Sequence, residues 1–501
     1  MLRKLRLTIA AAVFILISLL FVDVSGVLHK WLSWLAEIQF WPAFLAVNAG
    51  IVAVLLLLTL VFGRIYCSVV CPLGIMQDVV SRLHSRVKRN RFSFSKEKKW
   101  LRYTLLAIFI LTFVAGIVPL GALLEPYSSY GRIAESLFRP VWIMGNNMLA
   151  ALAERIDSYA FYSVDVWIKS LSTFAIALVT FVVIAFLAWR GGRTYCNTVC
   201  PVGTLLSFFA RFSWLRIHID TEKCNTCGLC ERNCKASCID SKSHKVDYSR
   251  CVVCGDCIDK CRRHAIVFTH GKPRLSAAAE SARSGEVDRT SVDSARRSFL
   301  LGMAIATTGT VLAQQKKKVD GGLAAIEDKI APERATPIIP PGALSAKYMA
   351  QHCTGCQLCV SQCPNNVLRP STDLFTMMQP TMSYERGYCR PECTRCADVC
   401  PTEAIRPITR AEKSSIQIGH AVWIKANCVP LTDGVECGNC ARHCPTGAIT
   451  MISSDPKSPD ASKIPAVNES RCIGCGACEN LCPARPFSAI YVEGHEQHRT
   501  I

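Results

Sequence analysis

No C-x-x-C-H motif occurs in this 501-residue chain, which excludes covalent attachment of a c-type haem. Acidic residues are scarce, 38 against 57 Lys and Arg, which leaves a formal net charge of +19. Nucleic acid does not explain that excess, because the basic residues flank hydrophobic stretches instead of lining one fold. A tetrahedral zinc site usually takes two separated C-x2-C pairs, whereas four of the six cysteine runs place three cysteines within seven residues. A disulfide framework suits a small secreted domain, not a chain of this length with so large an apolar half.

What is present is cysteine, 29 of them, at spacings that sort nearly all. Two central runs read C-x2-C-x2-C-x3-C: Cys224, Cys227, Cys230, Cys234, then Cys251, Cys254, Cys257, Cys261. Four more follow: Cys353, Cys356, Cys359, Cys363; Cys389, Cys393, Cys396, Cys400; Cys428, Cys437, Cys440, Cys444; and Cys472, Cys475, Cys478, Cys482. Three closely spaced thiolates wrap three irons of a cubane, and the fourth iron takes the last cysteine of a partner run. The pattern therefore predicts 4Fe–4S clusters, one for each of the six runs. In the first pair the runs should exchange last ligands, Cys224, Cys227 and Cys230 with Cys261, and Cys251, Cys254 and Cys257 with Cys234. A proline turns the chain away after Cys363, Cys400, Cys444 and Cys482, whereas Lys235 and Arg262 stand there in the first pair. Cys238 lies near enough in sequence to substitute for Cys234.

Four stretches are nearly free of charge and approach the ~20 apolar residues that cross a bilayer: Leu7–Val22, Ala43–Phe62, Leu101–Leu120 and Leu171–Trp189. Basic residues precede the first (Arg3, Lys4, Arg6), fill the loop after the second (Arg82, Arg86, Lys88, Arg89, Arg91, Lys96, Lys98, Lys99) and follow the fourth (Arg190, Arg193, Arg211, Arg216). The positive-inside rule puts these segments and the first ferredoxin pair on the cytoplasmic side. Leu28, Trp31, Leu32, Leu35 and Ile38, near Trp34 and Trp41, suggest an interfacial helix in the first external loop. Glu125, Tyr127 and Tyr130 read as a solvated loop after Pro119, although such groups could also take protons from a quinol.

Two motifs mirror one another: Arg64-Ile-Tyr-Cys-Ser-Val-Val-Cys-Pro-Leu-Gly and Arg193-Thr-Tyr-Cys-Asn-Thr-Val-Cys-Pro-Val-Gly. Cys67 and Cys71, like Cys196 and Cys200, share one helix face at i and i+4, so two such helices could gather four thiols. A redox-active dithiol, a metal site and a structural role are all open, and positive charge nearby favours thiolates. Beyond a polar linker, Arg296-Arg297 followed by Phe299-Leu300 and a moderately apolar core looks like a twin-arginine signal. Lys316 to Lys318 follow that core without a clear A-x-A cleavage site, so the segment is expected to remain as an anchor.

The order of these motifs resembles two known proteins joined end to end. Residues 1–270 resemble the NapH-type membrane ferredoxins, and residues 290–501 the NapG and MauM group; the membrane half is also similar to NosR- and FixG-like proteins. The resemblance implies a membrane α-helical protein of four spans plus a signal-anchor helix, carrying α+β ferredoxin-like iron–sulfur domains. Its domains would be a membrane domain (1–215), a cytoplasmic ferredoxin (216–272), a linker with the signal-anchor (273–345) and a periplasmic four-cluster module (346–501). The function implied is quinol oxidation at a bacterial inner membrane, with the quinone pool on one side and a periplasmic reductase or cytochrome on the other. An accessory role, donating electrons for metalloenzyme maturation or copper handling, is the alternative. Resemblance to four-cluster redox subunits further implies nested ligand sets: Cys353, Cys356, Cys359 with Cys482, and Cys472, Cys475, Cys478 with Cys363. The inner sets would be Cys389, Cys393, Cys396 with Cys444, and Cys428, Cys437, Cys440 with Cys400; simple consecutive pairing is the rival.

Overall fold

The computed structural model describes residues 2–23, 26–87, 92–158, 160–270, 327–455, 457 and 461–501. The twin-arginine segment and its flanking linker lie outside these residues.

The first 210 residues are helical. The longer elements are α1 (Leu2–Val22), α2 (Ala49–Phe62), α3 (Pro72–Val87), α4 (Lys99–Val114), α5 (Pro126–Ile133), α6 (Arg139–Glu154), α7 (Leu171–Gly191) and α8 (Pro201–Ala210). Local chemistry sets their ends. Asn48 caps α2 by accepting from Ile51 N–H, and Ser170 caps α7 by accepting from Thr173 N–H. Both helices stop at a glycine with positive φ, Gly63 (76°) and Gly192 (66°), where a side chain would be strained.

Two helices, Arg3–Val22 and Leu171–Gly191, are long and apolar enough to cross a membrane. The other two expected spans fall short of that length, so the expectation of four full-length spans is not supported. α2 has 14 residues and α4 has 16, roughly 21 and 24 Å at 1.5 Å per residue, against a hydrocarbon layer of roughly 30 Å. The apolar stretches ran on past these helices, but Asn48 starts α2 late and Gly116, at φ 76°, ends α4 early.

The expected interfacial helix is broken into one-turn pieces, His29–Leu32 and Trp34–Glu37. Trp31 and Trp34 point outward from it while Leu35 is buried. The segment after Pro119 is not a solvated loop. α5, a π turn (Ala134–Phe138) and α6 follow one another without a break, and Glu125, Tyr127 and Tyr130 are buried. The Glu125 carboxylate caps α5, accepting from the N–H groups of Tyr127 and Ser128. Tyr130 shares a 2.6 Å hydrogen bond with Ser18 on α1.

Beyond α8 the chain makes small antiparallel pairs characteristic of ferredoxin-like units. β1 (Leu215–Ile219) pairs with β4 (Ile266–His270), framing the hairpin of β2 (Ile239–Asp240) and β3 (Lys245–Val246). In the C-terminal module β5 (Leu368–Pro370) pairs with β6 (Pro380–Met382), and β8 (Ile449–Ser453) with β9 (Lys463–Val467). The long β10 (Ile490–Thr500) returns against β7 (Ile416–Trp423) through a bulge after Gly494.

The two modules meet opposite ends of α1. Near its start, Arg3 binds Asp256 and Asp259 of the first ferredoxin, each at 2.8 Å. At its end, Gln362 of the C-terminal module donates to the Leu20 carbonyl at 2.7 Å. Described residues of the basic loop wrap the first ferredoxin: Phe92 N–H donates to Arg232 O and Ser95 N–H to Ser237 O. The N-terminus, that loop and the ferredoxin therefore share one face.

Candidate functional site

Each ferredoxin run folds as a loop followed by a one-turn helix, such as Leu229–Arg232, Asp256–Lys260, Leu358–Gln362 and Ala477–Leu481. The residue before these helices is left-handed: Gly228, Gly255 and Gly476 by design, and Gln357 at φ 66° against that preference. Past the last cysteine of a run, the chain turns a backbone N–H group toward that cysteine's sulfur. Ala265 N–H donates to Cys261 Sγ (3.3 Å), Ile405 to Cys400 (3.4 Å), Ala448 to Cys444 (3.2 Å) and Ala489 to Cys482 (3.3 Å).

The tertiary structure settles how the runs combine in the C-terminal module, and it overturns nesting. Cys428, Cys437, Cys440 and Cys482 line one pocket; Cys444, Cys472, Cys475 and Cys478 line another. Cys400 lies within electrostatic reach of Cys353, Cys356 and Cys359, and Cys363 within reach of Cys389 and Cys396. Pairing is thus consecutive, third run with fourth and fifth with sixth. The cause is local: residues in sequence-adjacent runs close the smaller loops and bring their helices side by side. Cys389 N–H donates to the Cys475 carbonyl at 2.9 Å, which joins the two halves of the module.

These sets fit 4Fe–4S clusters. Their donors are thiols, their walls are apolar (Trp423, Pro430, Met451, Pro465 and Ile490 around one), and backbone N–H groups point at the sulfurs.

In the first pair, Cys234 lies near Cys254 and Cys257, and Cys238 hydrogen-bonds Cys251 as well as Cys234. Cys238 is deeper, 3.5 Å from the Cys234 sulfur. Their hydrogen bond draws the Cys234 thiol down to about 7 and pushes that of Cys238 up. Lys235 occupies the proline position for a reason invisible in the sequence. Its buried ammonium binds Asp78 (2.9 Å) and Asp256 (3.2 Å), and its carbonyl accepts from Arg193 N–H, which ties the ferredoxin to the N-terminal helical region.

The two mirrored motifs come together as one site. Cys67, Cys71, Cys196 and Cys200 are all buried, and each of Cys71, Cys196 and Cys200 feels the charge of its neighbours across the pair. Among the described residues, no three ligand side chains are drawn in to single-ion distance. The expectation of ready thiolates is corrected. Burial, more than Arg64 and Arg193 beside them, controls Cys71, Cys196 and Cys200 and pushes their thiols up. Tyr195, within the second motif, donates to Leu124 O at 2.9 Å, beside Glu125. From there α5 leads to the C-terminal module, where Gly131 packs on the Cys356 carbonyl so closely that a Cβ would lie 2.2 Å from it.

The family described as a 4Fe-4S binding domain matches residues 44–91 and again 173–221. The two matches take in the two C-x3-C-P motifs with their flanking helices. The 4Fe-4S dicluster domain matches residues 352–415 and 435–485, each holding cysteines of two consecutive runs. No solved structure matches this chain. The methylamine utilization ferredoxin-type protein MauN of Paracoccus denitrificans is 26% identical over 39% of this chain and 56% of its own length. The ferredoxin-type protein NapF of Escherichia coli is 31% identical over 32% of this chain and 87% of its own length. MauM of Methylobacillus flagellatus, also a methylamine utilization ferredoxin-type protein, is 31% identical over 32% of this chain and 70% of its own length. With that identity over most of NapF and MauM, and with cysteine sets shaped for 4Fe–4S clusters, the chain belongs to the ferredoxin-type proteins and serves iron–sulfur electron transfer.

Proposed function

We propose that this chain is a transmembrane electron conduit of the bacterial inner membrane, a NapH-like half fused to a NapG-like half. It oxidises quinol and delivers electrons to a periplasmic redox partner such as a reductase or cytochrome. The observation that carries this reading is the docking of the two modules at opposite ends of α1. A 21-residue helix is roughly 30 Å long, the thickness of the hydrocarbon layer. The basic residues gathered at the Arg3 end support that end as cytoplasmic.

Bound in the six cysteine sets, 4Fe–4S clusters would supply one-electron carriers suited to splitting a two-electron donor. The chain's own residues hold those sets in register. Arg3 and Lys235 fix the inner module, Gln362 and Gly131 seat the outer one, and the Cys389–Cys475 backbone bond joins the outer module's two halves. In this reading Glu125, Tyr127 and Tyr130, buried beside α1, would take protons from a quinol.

Two measurements test the proposal. Protease added to intact spheroplasts should reach residues 346–501, and replacing Arg296 and Arg297 with Lys should protect them; protection of the unmodified protein removes the outer location. Redox-poised EPR on purified protein should show its clusters reduced by added quinol, and clusters that stay oxidised remove the quinol donor.

A further inference from the structure

We propose that the edge of the first ferredoxin around Cys224, Cys227 and Cys230 is a docking surface for an acidic soluble protein that carries one electron at a time. The inference goes beyond the conduit reading. It uses the chain's iron–sulfur electron transfer and needs neither the quinol nor the sidedness.

The two runs of the first ferredoxin stand in opposite surroundings. The Cys251 run is closed off by the N-terminal helical region. Arg64 and Arg102 donate to Ser249 O at 3.1 and 3.2 Å, Gly63 packs on Val253, and Arg3 binds Asp256 at 2.8 Å. Cys251, Cys254 and Cys257 are accordingly no more than 9% exposed. The Cys224 run opens outward. All 29 cysteines lie among the described residues, and of these Cys227 alone is exposed. Cys224 is half-buried, and Asn225 and Thr226 between the two are exposed. A shielded set exchanges electrons only with its neighbours in the chain, whereas a set at the surface can exchange them with a second protein.

The pairing of β1 with β4 places this edge away from the helices. The ladder begins at Leu215 opposite His270, and just before it Trp214 N–H donates to Leu60 O of α2 at 2.7 Å. It ends at Ile219 opposite Ile266, and Asp220 N–H continues it to Ala265 O at 2.8 Å. Cys224 N–H then donates to Asp220 O at 3.1 Å. The Cys224 loop and the loop 262–264 therefore lie side by side past the far end of the ladder.

Charge selects the partner. Arg232, Arg262 and Arg263 are exposed around these loops, and a Cβ on Gly228, next to Cys227, would lie 3.9 Å from Arg232 Nε. Lys223 pairs with Asp220 at 3.3 Å, which leaves the three arginines against Glu222. An excess of cations around an exposed redox edge steers an acidic protein onto it and turns a basic one away. Redox encounters of this kind need only a small interface, below about 1,200 Å². In the transfer the carrier loses one electron and the Cys224 set gains one, with no bond made or broken.

Flavodoxin, an acidic protein that carries electrons on a flavin, is to be labelled with a fluorophore and titrated with the purified full chain in detergent. Binding should weaken as salt rises, because exposed charges are screened beyond about 8 Å at physiological ionic strength. Arg262→Glu with Arg263→Glu should raise the Kd about tenfold while iron content holds, and should slow the oxidation of reduced flavodoxin by a similar factor. Lys347→Glu, which reverses an exposed cation of the C-terminal module, should bind as the parent does. No binding by the parent, affinity that ignores the double reversal, or an equal loss in Lys347→Glu overturns the proposal. Should the double reversal lose iron, Arg262→Gln with Arg263→Gln decides. It should weaken binding about threefold, and unchanged affinity overturns the proposal. No quinol enters these measurements, so a chain that binds flavodoxin but ignores quinol refutes the quinol donor alone.

Discussion

Replacing Asp78 with Asn should loosen the first ferredoxin from the N-terminal helical region, because this one carboxylate sits among three cations from three segments. Arg193 Nε lies 2.7 Å from it, Lys235 Nζ 2.9 Å and Arg6 Nη1 3.2 Å. None of these three cationic side chains is more than 8% exposed. Asparagine keeps one acceptor and loses the charge, which strands buried cations; breaking a buried pair in this way costs about 3–5 kcal/mol. That is roughly a 10²- to 4 × 10³-fold shift in the docking equilibrium. The assay is the urea midpoint of protease cleavage within residues 216–270 on protein in detergent. Adding Lys235→Met should recover about 1–3 kcal/mol by removing the stranded ammonium, a coupling expected of residues in contact. A single variant as resistant as the parent, or strictly additive losses in the double variant, would refute this reasoning. The pH dependence has a definite sign. The cations hold the Asp78 carboxyl well below the usual carboxylate range. Its stabilisation is therefore complete above the unfolded value of about 3.9 and is lost only as pH falls below it. Docking should be flat from pH 8 to about 5.

Consecutive pairing makes a spectroscopic prediction. Cys400→Ser should abolish the EPR signal that Cys353→Ser abolishes, and Cys444→Ser the one lost with Cys472→Ser. If Cys482→Ser instead removes the Cys353 signal, the nested arrangement is restored. Gly131→Leu should push α5 off the Cys356 carbonyl at about 1–3 kcal/mol, slowing quinol-dependent reduction of the C-terminal sets while iron content holds; an unchanged rate at full iron would show that the contact carries nothing.

The sequence by itself determined what depends on short stretches of chain. Three thiols in seven residues can wrap only a small compact core, so the triads and their cofactor class were legible from Cys353-x2-Cys356-x2-Cys359 alone. The twinned C-x3-C-P motifs announced a duplication for the same reason, since i and i+4 on a helix fix which thiols share a face. The fourth ligand of each set in the C-terminal module is a long-range choice, and the nested assignment does not match the packing. Only packing decides whether Cys482 meets Cys440 or Cys353, and the shorter loop prevailed. Span lengths went astray in a similar way, because hydropathy does not reveal that Asn48 starts α2 late or that Gly116 cuts α4 short. Lys235 looked like a defect in a ferredoxin consensus. Its meaning lay in Asp78, more than 150 residues away in sequence and 2.9 Å away in space. The same holds for Arg64 and Arg193: each reads as membrane-edge charge, and only the fold shows both buried, each crossing to the other motif. Charges become fully buried only where tertiary structure supplies partners for them, and a linear sequence does not name those partners.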